Sequence, residues 1–160
     1  MPTPSLGTVE LQGFMLVHAI PGEILHLDVP TPTVESAALA VNAREEQIIK
    51  SILFLVDGRP VLAIACGTAN IGRRPIVDLF GVGKKRIKLA SAEVVAEISG
   101  YAVGAMPPFG HKSPLTTLID RRVLDLAEAY AGGGAENALL RIDPQVILRV
   151  SEAKVLDLLE

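Results

Sequence analysis

Apolar positions fall along this chain in short runs whose spacing predicts helices and strands mixed in one α/β order. The first helix is expected within Ser5–Ala19, interrupted by Gly13 and stopped by Pro21-Gly22. Glu23–Val29 alternates apolar and polar residues as a half-buried strand does, and Pro30 closes it. Val34–Val41 reads as a short alanine-rich helix. Asn42 with Glu45 three residues on reads as the capping box of another helix, reaching about Lys50. Ser51–Val56 and Val61–Cys66 are continuous apolar runs of strand length, joined across Asp57-Gly58-Arg59-Pro60 as a hairpin. Arg73–Phe80 is helical and ends at Gly81, Arg86–Leu89 is a short strand, and Ser91 caps a helix over Ala92–Ser99. Leu115–Ile119, Leu126–Tyr130 and Ala138–Ile142 are expected strands, and Asp143-Pro144 opens a last helix with a cap and an N1 proline. Hairpins mixed with single helices predict a compact α/β domain around a mixed β-sheet flanked by helices, not a doubly wound fold.

Composition narrows the class. At 160 residues the chain is expected to form a single domain, with nearly half its residues hydrophobic (49%) and no apolar run of membrane-span length. The start, MPTPSLGTVELQ, lacks the basic and apolar regions of a signal peptide, and the lone Cys66 allows no internal disulfide. A cytoplasmic location is the expectation. One cysteine and three scattered histidines in no metal-binding spacing predict no metal and no cofactor.

The net charge of −3 argues against a generic nucleic-acid coat, but its distribution is uneven. Arg73, Arg74, Lys84, Lys85, Arg86 and Lys88 supply six of the 15 basic residues, opposed in that stretch only by Asp78. This is either one basic face or a solvated surface that keeps the domain soluble.

Two glycine clusters carry the candidate chemistry. In GYAVGAMPPFGH, Gly100–His111, three glycines and two adjacent prolines describe a stiff loop whose remaining amides point in fixed directions. Such a loop serves as a structural turn, or it holds a carbonyl, carboxylate or phosphate without a reactive side chain. Gly132-Gly133-Gly134, followed by Glu136-Asn137, precedes a strand and is either a flexible turn or one wall of a cleft. Lys50, inside QIIKSILFLV, is read as a charge at a helix C-terminus or as a cation placed for an anionic ligand. No GxxxxGK[ST], no GxGxxG opening a helix, no nucleophile elbow and no recognisable triad spacing occur. His18 and His26 read as helix-surface and strand residues, which leaves His111 as the histidine worth testing.

In order, the segments TPTVESAALAVNAREEQIIKSILFLV, SGYAVGAMPPFGHKSPLTTLIDRRVL and AGGGAENALLRIDPQVIL resemble the YbaK/ProX family. These are aminoacyl-tRNA deacylases related to the editing domain inserted in bacterial prolyl-tRNA synthetases, and the resemblance runs from about Thr31 to the C-terminus. It implies a single α/β domain with a mixed sheet and no metal. It matches Lys50 to the family's essential lysine and Gly104, Ala105, Met106, Pro107 and Pro108 to its GxxxP loop. Gly132, Gly133 and Asn137 fall in its glycine-rich segment near the pocket. Two departures bear on substrate choice: Ala105 stands where many members carry a second glycine. Asn70, in GTANIG, stands where an arginine is common, with Arg73 as the nearest substitute.

An aminoacyl ester is already activated, so its hydrolysis needs a placed water and a stabilised oxyanion more than a strong nucleophile. The expectation is therefore a trans-acting deacylase of mischarged tRNA, with tRNA for proline carrying alanine or cysteine as substrate. Lys50, Gly104 and Pro108 would be catalytic. Ala105, Met106, Pro107, His111, Gly132, Gly133 and Asn137 would bind substrate, and Arg73, Arg74, Lys84, Lys85, Arg86 and Lys88 would hold the acceptor stem. Prolyl-tRNA synthetase is a candidate partner; membrane and DNA are not. The alternatives are a non-catalytic module that holds a nucleotide or a tRNA end, and a protein-interaction domain with a vestigial pocket.

Overall fold

The computed structural model describes residues 4–160. Among them, two sheets and five α-helices build a layered α/β structure. The larger sheet has the order β4-β2-β3-β5-β8, from β2 (Ile49–Val56), β3 (Arg59–Cys66), β4 (Ile87–Leu89), β5 (Thr116–Asp120) and β8 (Lys154–Leu156). β2 runs antiparallel to β3 and β4, whereas β3-β5 and β5-β8 are parallel, so the sheet is mixed as expected. The smaller sheet is antiparallel, with β1 (Glu23–His26), β7 (Ala138–Ile142) and β6 (Ala129–Gly132) in that order. A single parallel bridge, Ile48 to Tyr130, joins the two.

β3 is central and covered on both faces, which is why its sequence is a continuous apolar run. On β2 the faces separate. Ile49, Leu53 and Leu55 join the main core with Val95 and Met106, whereas Ile52, Phe54 and Val56 pack with Ile76 of α3 (Arg74–Phe80). α2 (Val34–Val41) covers the outer face of the smaller sheet through Ala37, Ala38, Tyr130 and Leu139. α1 (Thr8–Val17), α4 (Ala92–Ser99) and α5 (Pro144–Ser151) contribute Leu11, Val95 and Ile147 to the main core.

Several expected boundaries move, each for a local reason. The hairpin turn narrows to Asp57-Gly58, both at positive φ (51° and 83°), the geometry that matches a two-residue loop to the strand twist. Asn42 does not start a helix. It ends α2 in the left-handed conformation (φ 54°), a position asparagine tolerates as well as it serves an N-cap. The box belongs instead to Arg44, whose amide donates to Gln47 Oε1 at 3.1 Å over a 3-10 turn, Glu45–Gln47. Lys50 therefore lies on a strand, and a helix C-terminus is no account of it. α1 runs through Gly13 without a break, and β1 stops at His26. Asp120 accepts from the Arg122 amide at 2.9 Å and starts a 3-10 segment, Arg121–Asp125, so β6 begins only at Ala129. β8, three residues long, is too short for periodicity to mark and lies outside the elements expected from the sequence. No described helix is long and apolar enough to cross a membrane.

Candidate functional site

β2 is paired along its length by β3, but its other edge is only partly covered. β4 pairs Phe54–Val56, the Ala90 amide donates to the Leu53 carbonyl at 3.0 Å, and the Ile48–Tyr130 bridge closes the far end. Between these the edge opens into a cavity of about 320 Å³. Lys50, Ser51 and Leu53 form its floor, Thr31–Val34 at the start of α2 overhang it, and Val103, Gly104, Met106 and Gly132 face them. Thr33 fixes the overhang: its hydroxyl accepts from the Ser36 amide at 3.0 Å, and its own amide donates to Ser36 Oγ at 3.0 Å.

Strand alternation puts Lys50 and Ser51 on opposite faces of β2 at this gap. The Lys50 ammonium donates to the Ala69 carbonyl. Burial lowers its pKa, partly offset by the neighbouring Cys66. Arg73, which follows the Gly67–Gly72 loop that carries Ala69, turns toward β4 and β2: its Nε donates to the Ile87 carbonyl at 3.2 Å and its guanidinium lies over Phe54. Arg122, paired with the buried Asp120 at 3.4 Å, lines a separate cavity with Thr68 and Ala69. No sequence motif marked it, because the turn that brings it there is set by Asp120.

The two glycine clusters clasp each other. The Gly134 amide donates to the Ala105 carbonyl at 2.9 Å, and a Cβ on Gly132 would stand 2.2 Å from the Met106 carbonyl oxygen. At Gly104 the need is different: φ is +84°, while a Cβ would meet nothing within 4 Å. Ala105 to Phe109 are buried, and the Ala105 amide bonds the Ala102 carbonyl at 3.1 Å. The amides of Gly104 and Met106 make no hydrogen bond among the described residues.

Of the residues singled out in the sequence, the cavity gathers Lys50, Gly104, Met106 and Gly132. Pro108 and His111 line a second hollow behind the loop, with Phe14. Ala105 and Pro107 are buried in the loop, and Gly133 packs against Ala138, where a Cβ would lie 2.6 Å from its carbonyl carbon. Asn137 ties β7 to the end of β1, its Nδ2 donating to the Leu27 carbonyl at 3.2 Å.

His111 braces the loop, with Nε2 2.7 Å from the Pro107 carbonyl oxygen. Burial lowers its pKa, and the bond to Pro107 offsets this only in part. A folded-state value below the unfolded one, about 6.5, means that its contribution to stability is complete above that pH and fades as pH falls through the lowered value. The melting temperature of the wild type should therefore fall more steeply between pH 7 and 5 than that of His111→Gln. Parallel curves would show that this histidine titrates freely.

The basic stretch runs from α3 through a 3-10 turn, Lys84–Arg86, to β4, whose Leu89 borders the cavity. Arg86 pairs with Asp57 at 2.8 Å. Arg74, Lys84, Lys85 and Lys88 are exposed and meet no carboxylate among the described residues.

The profile of the aminoacyl-tRNA editing domain matches residues 28–150, from before the overhang to the last helix. The chain belongs to this family. This editing domain is 31% identical over 113 residues to the proline–tRNA ligase of Streptococcus equi subsp. equi. The match takes in 69% of the chain and 18% of the ligase, so the chain spans less than a fifth of that relative. It is 24% identical over 134 residues to the uncharacterized protein YwhH of Bacillus subtilis, covering 83% of each. Its fold matches the crystal structure of a candidate trans-editing enzyme for prolyl tRNA synthetase with a TM-score of 0.89 and 31% identity, over 99% of this chain and 98% of the other. The resemblance read from the sequence and the mixed-sheet α/β class both hold.

Proposed function

We propose that this editing domain is a trans-acting deacylase that hydrolyses the ester of mischarged aminoacyl-tRNA, with tRNA for proline carrying alanine or cysteine as the expected substrate. The observation that carries this reading is the gap in β2, where Lys50 lines one small, largely apolar cavity together with Gly104 and Met106, whose amides are unengaged among the described residues. A lysine there acts as a point charge toward a terminal phosphate or ribose. The amides of Gly104 and Met106, on a loop stiffened by Pro107 and Pro108, are the donors for the oxyanion that develops as water attacks the ester carbon. When the tetrahedral intermediate collapses, the ribose oxygen leaves with the proton and the free amino acid is released.

The test is a panel of mischarged tRNAs incubated with substoichiometric protein. Turnover of at least one is expected; binding without turnover would make the domain a non-catalytic holder of the tRNA end. Prolyl-tRNA synthetase, as the source of the mischarged species, is the proposed partner.

In this reading the unpaired cations beside Leu89 hold the acceptor stem. Replacing Lys84, Lys85 and Lys88 together by glutamine should weaken tRNA affinity and flatten its dependence on log salt by about two to three units, since each phosphate neutralised contributes a little under one. Turnover at saturating tRNA should change little. An unchanged salt slope would make the stretch a solvated face.

A further inference from the structure

Ser51 lies at the centre of the uncovered stretch of β2, between Ile49 and Leu53 on the cavity wall. Its hydroxyl is buried and has no hydrogen-bond partner among the described residues. The Tyr101 hydroxyl shares that condition but does not line this cavity. A buried hydroxyl left unpaired lowers stability, so its presence on a cavity wall points to a group that arrives from outside.

The surroundings define that group. Ser51 shares its face of β2 with Ile49 and Leu53, and Val95 and Met106 complete an apolar wall that offers the hydroxyl nothing. Among the described residues no carboxylate lines the cavity, and Lys50 stands on the other face of the strand. A cationic partner would find no counter-charge on the cavity wall. The fitting partner is small, uncharged and able to hydrogen-bond. With Lys50 holding the nucleotide end, the part of the substrate that reaches the apolar face is the amino-acid side chain.

We propose that Ser51 is a specificity-determining residue that selects aminoacyl groups ending in a hydroxyl or thiol, seryl and cysteinyl, over alanyl. This rests on the deacylase reading above. Apolar contact alone separates small side chains weakly, whereas a hydrogen bond to a buried group discriminates against the analogue that lacks it. Seryl should lead cysteinyl, because a thiol is the weaker donor and acceptor.

The experiment compares RNA minihelices charged with serine, cysteine or alanine, using the wild type and Ser51→Ala. The wild type should show a kcat/KM for the seryl ester about 10-fold above that for the alanyl ester, the size of one net hydrogen bond. Ser51→Ala should erase that preference by slowing the seryl ester, with the alanyl rate unchanged and the melting temperature equal or higher. No seryl preference in the wild type, an equal loss on all three esters, or a lower melting temperature in Ser51→Ala would overturn the proposal. Should no ester be hydrolysed, the deacylase reading fails, and the contact is read from binding of 3′-seryl- and 3′-alanylamino-3′-deoxyadenosine, whose amide linkage resists an esterase. Tighter binding of the seryl analogue, lost in Ser51→Ala, supports the Ser51 contact; equal binding of the two overturns it.

Discussion

Lys50→Ala is expected to slow deacylation by about 10²–10³-fold, the loss seen when one preorganised oxyanion-type contact is removed, while the protein stays folded. Lys50 lines the cavity at the gap in β2, and burial lowers the pKa of its ammonium, so its charge acts in surroundings drier than the surface. Its one hydrogen bond among the described residues goes to the Ala69 carbonyl, which an arriving phosphate or ribose oxygen would supplement. Losing that bond should change stability by about 1 kcal/mol at most, because the site borders solvent and water replaces the donor. Lys50→Arg should restore little, since a planar fork does not reproduce a compact ammonium. Near-full activity of Lys50→Ala with an unchanged melting curve would assign this lysine to anchoring the Gly67–Gly72 loop and nothing more.

Gly132→Ala should be the most disruptive single methyl in the molecule. Its Cβ would fall 2.2 Å from the Met106 carbonyl oxygen and 3.0 Å from that of Ala105, and both are backbone atoms that cannot rotate aside. The glycine-rich segment and the Gly104–Pro108 loop must separate, at a cost of about 3 kcal/mol, the upper range for overpacking. For a chain of this length that lowers the melting temperature by roughly 6–12 °C. Activity measured well below the new melting point should also collapse, because Gly104 and Met106 move away from β2. Gly104→Ala is the contrasting case. A Cβ there meets nothing, so only the left-handed backbone is penalised, by about 1–2 kcal/mol, and the loop keeps its place. Equal melting temperatures for Gly132→Ala and wild type would show that the clasp is not tight.

The sequence disclosed elements wherever one local signal dominated. Asp143-Pro144 opens α5, Gly81 closes α3, Ser91 caps α4, and the apolar run of β3 marks a strand buried on both faces. It misled where one residue type serves two ends of a helix, as at Asn42, or where a strand is too short for periodicity, as at β8. The site was legible in part. Lys50 and the two glycine clusters stood out, but not that the clusters touch, because the contact joins Gly132 to Met106 through tertiary packing. Ser51 carried no signal: a serine in a strand is ordinary until its hydroxyl is found without a partner.

The parallel triplet β3-β5-β8 has a consequence for how the molecule comes into being. Its strands come from residues 59–66, 116–120 and 154–156, so neighbours in space are made far apart in synthesis. The last of them brings Leu158, fully buried, whose amide donates to Asp120 Oδ2 at 2.8 Å and whose carbonyl accepts from Gly72 at 2.7 Å. Until residue 158 has left the ribosome, the carboxylate of Asp120 lacks this backbone donor, and Phe54, Val56 and Ile76 lack the Leu158 side chain that packs with them. The β2-β3 hairpin and its lysine are made early, but the sheet they belong to is completed late. Long-range pairing of this kind makes folding slow relative to a helical bundle of equal size. A nascent chain thus carries the Lys50 strand well before the sheet can hold it in place for an ester.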